Sequence, residues 1–138
     1  MKPAGQLDLL DWLDLLNSMP KKILIIEDEP ALIKNLEMAL KSDYEVSAAV
    51  NGQEGLRKAK GETPDLILLD VMLPDTDGIE ILKKLKADKK TDDIPVIVLT
   101  NLSDKETVSK ILAAGGKEYL VKADWNINDI VEKIKSLL

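Results

Sequence analysis

Apolar residues along this chain fall into two alternating patterns. Short unbroken runs appear at Lys22-Ile23-Leu24-Ile25-Ile26, Asp65-Leu66-Ile67-Leu68-Leu69, Pro95-Val96-Ile97-Val98-Leu99 and Glu118-Tyr119-Leu120-Val121. Runs of this kind suit parallel strands buried on both faces. Between them lie stretches with apolar residues at helical spacing, such as Ala31, Leu32, Leu36, Ala39 and Leu40. The pattern predicts strands over 22–27, 44–50, 65–70, 95–100 and 118–122. Helices are predicted over 30–41, 52–60, 77–88, 104–115 and 126–137. Pro30 suits a first helical turn, where its missing N–H costs nothing. Asn51-Gly52, Gly61 and Pro64 mark turns. Ser103 with Glu106 three residues on forms a capping box, Gly115-Gly116 closes that helix, and Asn126 caps the last one. Five βα units joined by right-handed crossovers make an α/β fold with a doubly wound, five-stranded parallel sheet between helices.

Residues 1–20 stand outside this alternation. At about 100° per residue, Leu9, Leu10, Trp12, Leu13 and Leu16 share one broad face, and Asp8, Asp11 and Asp14 the opposite one. A helix is expected around residues 7–16, packed through Trp12 on an apolar surface of its own or a neighbouring chain. A second copy, giving a homodimer, is one partner for that face, and a groove on another protein is another. Met19-Pro20-Lys21-Lys22 before the first strand reads as a natural start, which makes 1–20 an appended extension and 21–138 the domain proper.

The strand ends hold the chemistry. The first strand runs into Glu27-Asp28-Glu29, the third ends on Asp70, the fourth on Thr100 and the fifth on Lys122. In open α/β sheets, function gathers beyond the carboxyl ends of the strands. Any one acid there is commonly a solvated loop residue. Glu27, Asp28 and Asp70 with a hydroxyl and an ammonium at neighbouring strand ends are a set, and adjacent carboxylates repel unless a cation joins them. Hard oxygen donors around a cleft suit Mg²⁺.

Composition narrows the field. The 138 residues hold no cysteine and no histidine, which excludes disulfides, thiolate sites and the usual zinc or iron centres. A net charge of −6 argues against non-specific nucleic-acid binding. No apolar run reaches the ~20 residues that span a bilayer, and the start lacks a secretory pattern. A cytoplasmic protein is expected.

The ordered motifs Ile25-Ile26-Glu27-Asp28-Glu29, Leu68-Leu69-Asp70-Val71-Met72-Leu73-Pro74-Asp75-Thr76-Asp77-Gly78, Val98-Leu99-Thr100 and Gly115-Gly116-Lys117-Glu118-Tyr119-Leu120-Val121-Lys122 resemble the receiver domain of two-component response regulators, of the single-domain chemotaxis type. The resemblance covers the chain after Pro20 and implies a flavodoxin-like, three-layer (βα)5 sandwich. It implies that Asp70 is the phosphoacceptor, that Asp28 binds Mg²⁺ directly, that Glu27 holds it through water, and that the Met72 carbonyl completes the protein ligands. Lys122 and Thr100 would each meet a phosphoryl oxygen. Tyr119 matches an aromatic that turns inward on phosphorylation, which changes the surface of helix 104–115, strand 118–122 and helix 126–137. The implied partners are a sensor histidine kinase or phosphotransfer protein and a downstream protein target. The chain's end at the last receiver helix fits a stand-alone receiver or a piece of a longer regulator.

Three positions depart from the family's habit. Ala123 follows Lys122 where proline is usual, Asn101 follows Thr100 where a small residue is commoner, and Gly116 stands where alanine is usual. In the family, side chains two positions after the phosphoacceptor and after the threonine border the path of the attacking water. Here these are Met72 and Leu102, both apolar and unable to orient water, so the resemblance implies slower self-dephosphorylation than in members with polar residues there. Competing readings fare worse. A haloacid-dehalogenase-type phosphatase wants a second Asp where Met72 stands, and a nucleotide-binding domain wants glycines where Glu27-Asp28-Glu29-Pro30-Ala31 stands. A degenerate receiver serving only as an interaction module has no need of the intact acids, Thr100 and Lys122.

Overall fold

The structure, a computed structural model, describes residues 2–101, 104–122, 124 and 126–138. The expected readings at Leu102, Ser103, Ala123 and Trp125 lie outside the described residues. Five parallel strands, β1 (Lys21–Ile26), β2 (Tyr44–Ala49), β3 (Leu66–Asp70), β4 (Val96–Thr100) and β5 (Glu118–Val121), form one sheet in the order β2-β1-β3-β4-β5. The helices are α1 (Leu9–Ser18), α2 (Pro30–Leu40), α3 (Gly52–Glu62), α4 (Gly78–Ala87), α5 (Lys105–Ala113) and α6 (Ile127–Leu137).

Strand alternation splits the core into two layers. Leu24, Ile26, Ile67, Leu69, Val96 and Val98 point to one face, where α3, α4 and α5 add Ala59, Ile81, Leu82, Leu85 and Ile111. Ile23, Ile25, Leu66, Leu68, Ile97 and Leu99 point to the other, against Leu36 and Leu40 of α2 and Ile130 and Ile134 of α6. Both faces of β1, β3 and β4 are therefore dry, which is why those strands read as continuous apolar runs. The fold is the expected doubly wound α/β sandwich.

Helix ends follow local chemistry, with one correction. α5 is capped by Asp104, whose carboxylate accepts from the Thr107 amide at 2.9 Å and from the Thr107 hydroxyl at 2.9 Å. α3 passes through Gly61 and stops at Thr63, in the left-handed region at φ 45°. Pro64 explains the stop, because proline disfavours the right-handed helical conformation in the residue before it. Elsewhere the expectations hold. Pro30 opens α2, Gly115 takes a positive φ of 96° after α5, and Asn126 and Asp129 form a reciprocal capping box on α6.

α1 is a helix, as its periodicity predicts, opened by a capping box between Asp8 and Asp11. Its expected packing through Trp12 is not found among the described residues of the chain. Trp12 is 48% exposed and no residue of α1 is buried. The segment that folds back on α1 meets its polar side, where Lys2 pairs with Asp11 at 3.1 Å, and the Leu/Trp arc faces outward. Among the described residues, no helix is long and apolar enough to cross a membrane.

Candidate functional site

Sheet register brings the strand ends level. Ile26 pairs with Leu69 on β3, Asp70 with Leu99 on β4, and Thr100 with Val121 on β5. The next residues of β1 and β5, Glu27 and Lys122, therefore emerge beside Asp70. The Glu27 amide donates to the Ala49 carbonyl at 3.0 Å, and the Lys122 amide to the Thr100 carbonyl at 2.7 Å. Backbone bonding fixes both residues before their side chains are considered.

Glu27 and Asp70 are 1% and 3% exposed, which is unusual for acids and requires partners. Lys122 supplies one. Its Nζ donates to Asp70 Oδ2 at 3.1 Å and to Glu27 Oε2 at 3.3 Å. Backbone amides take the other oxygens: Met72 donates to Asp70 Oδ1 at 3.1 Å and Glu29 to Glu27 Oε1 at 3.2 Å. Asp28 is exposed at the rim, and Glu27, Asp28 and Asp70 each offer a carboxylate oxygen within 4.8 Å of the others. Thr100 is buried at the end of β4, and Asn101, Met72, Leu73 and Pro74 help to wall the cleft. Tyr119 is half-buried against the core layer under α3, α4 and α5. The structure thus gathers Glu27, Asp28, Asp70, Met72 and Lys122 around one cleft.

Among the described residues, one ammonium faces three carboxylates, and the excess shows in Glu27. Burial, a hydrogen bond to Asp70 and the Asp70 charge push Glu27 up to about 7, against the pull of Lys122 and the Glu29 amide. Burial works against the charge on Lys122, yet Asp70 and Glu27 outweigh it and hold its pKa above the ordinary lysine value. Converging oxygens with surplus negative charge are the donor set a hard divalent cation needs.

A pH dependence follows from Glu27. Its ordinary value is 4.5 and its folded value is about 7, so between those limits the folded chain holds more protons than the unfolded one. Stability from this group is complete below about pH 4.5 and is lost as pH rises through about 7. Metal-free protein is expected to melt at falling temperature from about pH 5 to about pH 8, and Glu27→Gln should flatten the trend. Thermal melts of the two proteins across that range check this, and equal slopes would contradict it.

Two features escaped sequence reasoning. Asp75 accepts hydrogen bonds from the first amides of α3, and Gly52 and Gly78 stand where a Cβ would strike neighbouring atoms. The signal for the first was an acid in the β3–α4 loop. Only its distant partner on α3 gives it meaning.

Comparison with known proteins agrees with this geometry. Residues 23–135 match the family described as the response regulator receiver domain. The DNA-binding dual master transcriptional regulator RpaA of Synechocystis sp. is 39% identical over 124 residues, 87% of this chain and 49% of that protein. The alkaline phosphatase synthesis transcriptional regulatory protein PhoP of Bacillus subtilis is 38% identical over 123 residues, again 87% of this chain and 49% of that protein. The chain spans about half the length of these curated relatives. A CheY-like response regulator receiver domain protein from Methanospirillum hungatei matches with TM-score 0.79 and 34% identity, over 86% of this chain and 93% of that one. The chemotaxis response regulator CheY4 of Vibrio cholerae matches with TM-score 0.81 and 26% identity, over 87% and 100%. With its sheet order, its strand-end acids and a match from residue 23 to 135, this chain belongs to the response regulator receiver domain family.

Proposed function

We propose that this receiver is a phosphorylation-dependent switch, with Asp70 as phosphoacceptor and residues 21–138 as the working domain. The observation that carries the reading is the Asp70 carboxylate itself. It is buried at the end of β3, held between the Met72 amide and the Lys122 ammonium, with oxygens of Glu27 and Asp28 in reach. A carboxylate so held is oriented for attack and only partly neutralised.

In the proposed step an Asp70 oxygen bonds to phosphorus. The bond from phosphorus to the donor's leaving nitrogen or oxygen breaks, and the leaving group keeps the electron pair and takes a proton from solvent. Asp28, Glu27, Asp70 and the Met72 carbonyl would hold Mg²⁺, which supplies charge neutralisation on the transferring oxygens. Lys122 moves from the carboxylate pair to a phosphoryl oxygen, and Thr100 donates a hydrogen bond to another. The work is positioning and charge stabilisation. New acceptor oxygens on Asp70 draw Thr100 inward. Tyr119 then follows, and the surface of α5, β5 and α6 changes for a downstream protein. The donor in the cell is a sensor histidine kinase or phosphotransfer protein, and the setting is the cytoplasm. The chain acts on itself rather than turning over a substrate.

The reading is tested by incubating the chain with Mg²⁺ and a small phosphodonor and measuring intact mass. One Mg²⁺-dependent phosphoryl adduct, mapped to Asp70, is expected. Absence of any adduct would leave an interaction module in its place.

α1 contributes no residue to the cleft. Deleting residues 1–18 is therefore expected to leave the rate of adduct formation within about twofold of the full chain, since surface elements remote from a site act nearly independently of it. A tenfold loss in the same mass assay would place α1 in the chemistry.

A further inference from the structure

The segment between Asp70 and α4 is fastened in three places. At its far end the Gly78 amide donates to the Val71 carbonyl at 2.6 Å, and a Cβ on Gly78 would collide with the Asp70 carbonyl oxygen and Val71 Cα. Across its middle, Met72 and Asp77 form an isolated antiparallel bridge. Its third fastening leaves the segment altogether. Asp75 Oδ1 accepts from the Gly52 amide at 2.8 Å and Asp75 Oδ2 from the Gln53 amide at 3.0 Å.

These amides open α3, which has a cap of its own. Asn51 Oδ1 accepts from the Glu54 amide at 2.8 Å, one turn inside the helix. The first turn of α3 thus has a local cap from Asn51 and a second cap delivered from the loop that carries Met72. The two segments touch closely, because a Cβ on Gly52 would lie 2.6 Å from Thr76 Cγ2 and 2.7 Å from Ile81 Cδ1. α3 is itself pressed onto β1, where a Cβ on Gly55 would lie 2.6 Å from Ile26 Cδ1. The residue after Ile26 is Glu27. A continuous path of contacts therefore joins the Asp70–Met72 side of the cleft to the Glu27–Asp28 side, and Asp75 is the polar link in it. The Gly52 amide first, and then the Gln53 amide, hold the Asp75 carboxyl below its ordinary range, as expected of an anionic acceptor at a helix start.

We propose that Asp75 is a positioning residue, tying the Met72 backbone to the start of α3 and so setting the spacing of the two halves of the acidic cleft. The inference rests on the reading of that cleft as a Mg²⁺ site. Loss of the tie costs cleft geometry as well as a helix cap, and the two costs are separable.

The experiment compares Asp75→Ala, Asp75→Asn and Asn51→Ala in the full chain. Mg²⁺ affinity is measured by calorimetry, and thermal melts are run beside it. Asp75→Ala and Asn51→Ala each remove one cap from the same helical turn, and similar melting temperatures are expected. Asp75→Ala should weaken Mg²⁺ binding about tenfold, the low end for losing a group that orients a metal ligand, while Asn51→Ala stays within about twofold of wild type. Asp75→Asn keeps an oxygen for the Gly52 amide, loses the acceptor for Gln53, and should fall between. Equal Mg²⁺ affinity in Asp75→Ala and Asn51→Ala would reduce Asp75 to a helix cap and overturn the proposal. Failure of the wild-type chain to bind Mg²⁺ would overturn the reading of the cleft instead.

Discussion

Asp70→Asn is expected to take up no phosphoryl group from a small donor under conditions that convert most of the wild-type chain. The amide matches the carboxylate in size, so its oxygen can still accept from the Met72 amide, which now lies 3.1 Å from Asp70 Oδ1. The nucleophilic charge is gone, and a neutral amide oxygen does not form the acyl phosphate. The variant should fold as well as wild type. Removing one buried acid relieves Glu27 of the neighbour that, after burial itself, raises its pKa most, and Lys122 keeps Glu27 as a partner at 3.3 Å. Removing a carboxylate from a crowded acidic pair is stabilising wherever the repulsion exceeds the ion pair it made. Intact mass and a thermal melt measure both effects. An adduct formed at the wild-type rate would mean that another group is the acceptor.

That Asp70 stands out at all in the sequence is a consequence of burial on two sides. β3 has no solvent face, so its five residues are all buried and the acid that ends the run has no amphipathic pattern to hide in. β1 and β4 announce themselves in the same way. β2 is an edge strand with a partly exposed pattern, and the Asn51-Gly52 turn marks its end more clearly than its own residues do. The grouping of Glu27, Asp70 and Lys122 was legible because parallel register puts strand ends level, a property of the fold class and not of any one residue.

What stayed hidden depended on contacts distant in the chain. Asp75 meets Gly52 across 23 residues, and nothing local distinguishes it from a solvated loop acid. The helix formed by residues 9–18 was legible from spacing, but its environment was not, since periodicity reports a face and says nothing of what lies opposite it. The end of α3 was misplaced for a simpler reason. Gly61 has open space around it and tolerates the helix, and the proline three residues on decides where it stops.

Lys122→Met should separate metal binding from phosphoryl transfer. The wild-type ammonium lies 3.1 Å from Asp70 Oδ2 and 3.3 Å from Glu27 Oε2, where it competes with any cation for the same oxygens. Methionine keeps most of the apolar stem and removes the charge. Three carboxylates then face no cation among the described residues, so a divalent ion is attracted more strongly. Glu27 loses the ammonium that lowers its pKa and holds its proton to higher pH, so the comparison belongs at about pH 8 or above, where a metal can displace that proton. Mg²⁺ affinity there is expected to equal or exceed that of wild type. Phosphoryl transfer should instead slow by about 10²-fold, the scale for removing one preorganised group that meets developing charge. Calorimetry and the time course of adduct formation give the two numbers independently. A parallel loss of both would make Lys122 a prop for the cleft rather than a partner of the phosphoryl group. An unchanged transfer rate would remove it from the chemistry altogether.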